Sequence, residues 1–243
     1  MPLRQSFQFS LLITLLVITG VTLLCCLGFW QLSRAEQKEE IQSQLQIGQE
    51  GHPLTTKALL ENNDLADFRY HRVQLNGHFL NDRTILLDNK TNNGQPGYYV
   101  YVPFTLNNEN VILVNRGWIP LGPSRSVLPA TNAIKGEVTI EGYLDFAYRN
   151  PFIKNALESK TIDWPLRLQE LDVSLLHSLI GKNIHTMLVT LDSNSPYAFV
   201  APNRPGSTMS PARHRGYAFQ WFALAVTLLG LSLFSYKKAR GKI

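Results

Sequence analysis

The sequence predicts an α+β membrane protein in which an N-terminal and a C-terminal transmembrane helix flank a β-rich antiparallel extracytoplasmic domain with one or two short helices. Three observations carry this. No charged residue occurs from Phe7 to Trp30 or from Tyr217 to Tyr236, and from Arg69 onward the pattern becomes period two, in short runs bounded by turn residues. The expected organisation is residues 7–30 as the first span, 31–212 as the outer domain and 217–236 as the second span. The middle is long enough for one domain with its own core.

The first apolar run exceeds the stretch of about 7 to 15 residues of a cleaved signal peptide and lacks a small-residue exit, so it reads as a retained anchor. Cys25 and Cys26 are adjacent within it and cannot supply a disulfide framework for the outer domain. Adjacent helical side chains diverge by about 100°, which also makes them a poor ligand pair for one metal ion. Leu24 or Cys25 would occupy the position before a lipoprotein acceptor cysteine, where a small residue is expected. Beyond the span, Trp30, Arg34 and Lys38 recur every four residues on one helix face. That face suits basic side chains snorkelling to water; the alternative is a carboxylate site beside an aromatic wall. The helix is expected to run to Gln46 or Ile47 and stop at Gly48, with His52-Pro53 breaking the chain and a short amphipathic piece at Leu54 to Leu60.

Strands are expected at Tyr70 to Leu75, Thr84 to Asn89, Tyr98 to Leu106, Val111 to Asn115, Val138 to Leu144, Thr186 to Leu191 and Tyr197 to Ala201. Asn76-Gly77, Asn92-Asn93-Gly94 and Asn107-Asn108 supply turn chemistry. One helix interrupts them, capped by Asp172, with Leu175, Leu176, Leu179 and Ile180 on one face and Gly181 at its end. Ala201 to Arg213, with three prolines, reads as a tether to the second span.

The second span has twenty residues, Tyr217 to Tyr236, enough for roughly 30 Å of helix. Tyr217, Trp221 and Tyr236 suit the headgroup region, and Lys237, Lys238, Arg240 and Lys242 follow. His214, Tyr217 and Trp221 fall at i, i+3 and i+7, so an imidazole, a phenol and an indole share one face. An interfacial anchor and a ligand site both fit these residues. The chain carries a formal charge of +5, concentrated in short flanks, which argues against nucleic acid as a partner. Basic counts on the two sides barely differ, and long segments translocate largely regardless of charge. We therefore expect both termini in the cytoplasm and the central domain in the periplasm of a bacterial inner membrane, or in the equivalent mitochondrial intermembrane space.

No catalytic arrangement is recognisable in the outer domain. His52, His71, His78, His177 and His185 are scattered, and Ser124 and Ser126 lack a Gly-x-Ser-x-Gly setting. Asn115-Arg116-Gly117-Trp118-Ile119-Pro120 suits a tight turn that presents an arginine, or a structural ion pair. The expectation is a protein that is not an enzyme.

Separated motifs, in order along the chain, then resemble one family. Leu27-Gly28-Phe29-Trp30-Gln31-x-x-Arg34-x-x-x-Lys38 is similar to the Gly-x-Trp-Gln-x-x-Arg signature of the Surfeit locus protein 1 family of cytochrome c oxidase assembly factors. Tyr70-x-x-Val73-x-x-x-Gly77-x-Phe79, Gly97-x-x-Val100-x-x-Pro103-Phe104 and Ile112-Leu113-Val114-Asn115-Arg116-Gly117-Trp118-Ile119-Pro120 look like its strand motifs. His214-x-x-Tyr217-Ala218-x-x-Trp221 resembles its motif at the second span. The resemblance implies a protein of the bacterial or mitochondrial inner membrane that helps mature the catalytic subunit of a haem-copper oxidase, with the lipid bilayer and haem a synthase as further partners. It implies haem a as cofactor and His214 as the metal ligand. The mechanism expected from it holds haem a between the two spans, with Tyr217, Trp221 and Trp30 walling the macrocycle and Arg34, with Arg213 or Arg215, pairing with its propionates. The alternative is a binding-only membrane scaffold that holds the oxidase subunit without contacting haem. Relatives commonly have Asn-His-Leu where this chain has Arg213-His214-Arg215, so the histidine's neighbours are more basic here.

Overall fold

The computed structural model describes residues 2–61, 66–106, 110–122, 127–147, 157, 162–201 and 209–240. In chain order the elements are α1 (Pro2–Glu50), β1 (Leu54–Thr55), α2 (Thr56–Glu61), β2 (Arg72–Phe79), β3 (Ile85–Asn92), β4 (Gln95–Thr105), β5 (Asn110–Pro120), β6 (Val138–Phe146), β7 (Leu166–Leu168), α3 (Val173–Ile180), β8 (Asn183–Leu191) and α4 (Pro211–Arg240). The chain divides into two compact units, Met1–Ser43 with Pro205–Ile243, and Gln44–Arg204.

The first unit is built from α1 and α4, both long and apolar enough to cross a membrane. Their less exposed positions follow a 4-3 spacing, Val21, Leu24, Gly28, Gln31 and Ala35 on α1 and Pro211, His214, Ala218, Trp221 and Ala225 on α4. This is the seam of a left-handed pair. Gly28, Ala35, Ala218 and Ala225 let the backbones approach, as small residues do between helices in an apolar solvent. At Gly28 even a methyl group would come within 2.6 Å of the Phe222 ring. The helix α4 begins earlier than the uncharged run implies, because Ser210 accepts a hydrogen bond at its hydroxyl from the backbone N–H of Arg213 and Pro211 takes the first helical position.

In the second unit five strands close a barrel in the order β2-β6-β8-β5-β4, and β4 returns to β2 through His78↔Thr105 and Phe79↔Phe104. Within the barrel all pairings are antiparallel except β5 with β8, and β3 and β7, themselves parallel, extend the sheet beyond β4. The barrel interior is filled by Leu75, Val100, Phe104, Ile112, Val114, Ile140, Leu144 and Val189. A second core, with Ile85, Val111, Leu113, Leu168, Leu176 and Leu188, lies where α3 and β7 cover the outside of the sheet. Asp172 caps α3 through the Leu175 N–H and Gly181 ends it in the left-handed conformation, as expected.

Five expectations change. Asn115 to Pro120, expected as a tight turn, continues β5, which pairs with β4 from Thr105↔Val111 to Gly97↔Pro120. Asn76-Gly77 is not a turn but lies inside β2, because the barrel closes there: a side chain at Gly77 would strike the carbonyl oxygen of Thr105. Gly48 does not stop α1, which continues to Glu50; the bare backbone at Gly48 packs against the Tyr70 carbonyl. Leu54 to Leu60 divides into the two-residue β1 and the helix α2. Tyr197 to Ala201 forms only an isolated bridge, Val200 to Trp118, alongside β5. By contrast Asn93-Gly94 is the tight turn between β3 and β4, with both residues at positive φ. Asn107-Asn108, Ser124, Ser126 and most of the tether fall outside the described residues.

Candidate functional site in the helical hairpin

His214 sits one turn into α4 on the seam side and is only 8% exposed. Its Nδ1 lies 2.7 Å from Oε1 of Gln31 on α1. Arg215, the next residue of α4, forms an ion pair at 2.7 Å with Glu39, about two turns beyond Gln31 on α1, and about two turns further along α4 the Phe222 ring meets Phe29 edge to face, with centroids 5.2 Å apart. Arg215, Phe222 and Leu228 of α4 face Glu39, Phe29 and Gly20 of α1 in turn, so the helices are antiparallel.

These contacts also fix which residues share a side. Glu39 and Phe29 of α1 meet Arg215 and Phe222 of α4, so that flank of the seam is closed by an ion pair and a ring contact. Successive residues rotate by about 100°. Arg34 and Trp30 therefore fall toward the other flank of α1, and Tyr217, about 200° from Arg215, on the matching flank of α4. Trp221 is half-buried at the seam. Trp30 and Tyr217 are 51% and 43% exposed, and the Arg34 guanidinium lies 5.6 Å over the Trp30 ring while donating to Gln37. By this geometry Trp30 and Arg34 of α1 and Tyr217 of α4 fall to one side of the seam, with His214 and Trp221 on the seam itself. Of the two arginines beside His214, Arg215 is engaged by Glu39.

Across the seam the backbone of Gly28 packs closely against the Phe222 ring. The other, open flank of the pair carries the rings of Trp30 and Tyr217 and the Arg34 guanidinium, while the His214 imidazole is buried. Gln31 was given no role from the sequence. Its signal was an amide on the seam face of a helix whose neighbouring positions are apolar.

In the barrel unit Arg116 is buried, and among the described residues no ion pair to it is found. Its Nε donates to the Tyr197 carbonyl at 2.9 Å, its Nη1 to the Asn132 carbonyl at 2.8 Å, and its guanidinium stacks 4.5 Å from the Phe199 ring. It ties two loops to β5. Burial depresses its pKa, as it does that of the His185 imidazole. Among the described residues no three His, Cys, Asp or Glu side chains group as metal ligands.

A closed barrel unit and two helices long and apolar enough to cross a membrane fit a membrane protein. The model of the SURF1 family matches residues 18–226, and this chain belongs to that family, a family of oxidase assembly factors. It is 29% identical to a SURF1-like protein of Rickettsia felis over 88% of this chain and 92% of the relative. It is 28% identical to one of Monosiga brevicollis over 87% and 83%. An uncharacterised SURF1-like protein of Mycobacterium tuberculosis matches at 22% identity over 93% and 84%.

Proposed function

We propose that this protein binds haem a on the open flank of the helical hairpin and aids its delivery to the catalytic subunit of a haem-copper oxidase. The observation that carries this reading is the position of His214, held on the seam with Trp221, behind a flank bearing Trp30, Arg34 and Tyr217. Histidine is the usual nitrogen ligand to haem iron. His214 would ligate the iron, the aromatic residues would cover the ring, and Arg34 would pair with a propionate. The imidazole is only 8% exposed, so ligation requires the helices to part locally on that flank. The reading places the hairpin in a bacterial inner membrane with cytoplasmic termini and a periplasmic barrel, with haem a synthase as the source of the cofactor and no catalytic step in this chain.

Purification from cells that make haem a tests it. The wild type is expected to carry pigment, and His214→Ala to lose most of it; equal occupancy would remove His214 from the site. The close-packed seam also favours a second reading, a scaffold that holds the oxidase subunit without haem. That reading expects both samples to be colourless and the oxidase subunit to co-purify after haem depletion.

A further inference from the structure

We infer that Gln31 is a positioning residue: by accepting a hydrogen bond from Nδ1–H of His214 it fixes the imidazole in the tautomer that leaves the Nε2 lone pair for a metal centre. The inference rests on the haem-binding reading for its purpose, but its geometry stands on the hairpin itself. The Gln31 amide oxygen faces Nδ1 at 2.7 Å, and a carbonyl-type oxygen only accepts, so the proton between the two atoms belongs to the imidazole. A neutral imidazole carries one N–H, so Nε2 is left as the base.

The surroundings explain why a partner is needed. Ala218 lies one turn along α4 and Ala35 one turn along α1, both buried and both too small to hold a ring by packing. The nearest charged pair, Arg215 with Glu39, is engaged with itself. Without the amide, the ring would be free to rotate about χ2 and to place its proton on Nε2. A carboxylate at the same position would do more than orient: it would draw the Nδ1 proton and make Nε2 a stronger donor. The natural amide orients the ring without adding a second negative charge at the membrane surface.

The test has two arms on the full-length protein in detergent. In the first, the imidazole nitrogens of His214 are observed by ¹⁵N NMR in haem-free protein at alkaline pH. The wild type is expected to show Nδ1–H, and Gln31→Leu to show Nε2–H or a mixture. In the second, haem a is added to wild type, Gln31→Leu and Gln31→Glu, and affinity and iron reduction potential are measured. Gln31→Leu is expected to weaken binding by about 10- to 100-fold and to raise the potential, and Gln31→Glu to lower it. A role confined to helix packing would leave the potential of the bound fraction unchanged in both variants. Nε2–H in the wild type, or potentials identical in all three proteins, would overturn the inference. Failure of the wild type to bind haem a through His214 while the NMR arm holds would instead overturn the haem reading and leave Gln31 orienting the ring for another ligand.

Discussion

Replacing Gly77 with valine should cost the barrel unit at least about 3 kcal/mol and lower its melting temperature by about 6–12 °C. The barrel closes only where β2 reaches β4, at His78↔Thr105 and Phe79↔Phe104, one residue from Gly77. A Cβ there would strike the Thr105 carbonyl oxygen and lie 2.9 Å from the Phe104 ring. Neither neighbour can retreat. Thr105 is held from its other side by Val111 of β5, and Phe104 is fully buried in the barrel core. The valine must therefore pry β2 from β4, which opens the core containing Leu75, Ile112 and Leu144 to water. Circular dichroism melting of the purified protein checks it; an unchanged transition would mean that the barrel is not closed at this point.

Arg116→Ala should destabilise the same unit by about 3–5 kcal/mol. The substitution leaves the carbonyls of Tyr197 and Asn132 without their guanidinium donors and removes the stacking on Phe199. Arg116→Lys should recover only part of the loss, because one ammonium cannot reach both carbonyls and lie flat on the ring. Chemical denaturation of the three proteins orders them as wild type, Arg116→Lys, Arg116→Ala. Wild-type stability for Arg116→Ala would show that the two loops are held by other contacts and would reopen a binding role for the arginine.

The legible parts of this fold are those in which one physical signal acts alone. The strand β2 alternates buried and exposed residues along its length, and the Asp172 cap and Gly181 stop of α3 obey local rules. Where tertiary contact overrides local preference, reading fails. Gly48 and Gly77 look like punctuation, yet both serve close approach, to Tyr70 and Thr105, in the middle of their elements. The three-residue β7 has no room for a period, and β5 is buried on both faces because α3 covers the outside of the barrel beside it. At the candidate site, the i, i+3, i+7 spacing gathers His214, Tyr217 and Trp221. It could not show that Arg215 belongs to Glu39, nor that Gln31 faces the imidazole, because both facts depend on how two distant helices register.

Titration of purified haem-free protein with haem a, followed by absorbance, tests the assignment of the open flank most directly. Tyr217→Ala and the double variant Trp30→Ala with Arg34→Ala lie on that flank, whereas Phe29→Ala lies on the flank closed by Phe222 and Arg215. The expected result is a loss of about tenfold or more in affinity for the first two, each losing ring or guanidinium contacts of about 1.4 kcal/mol or more in total, and wild-type binding for Phe29→Ala. Equal affinity in all of them, or a loss confined to Phe29→Ala, would contradict it.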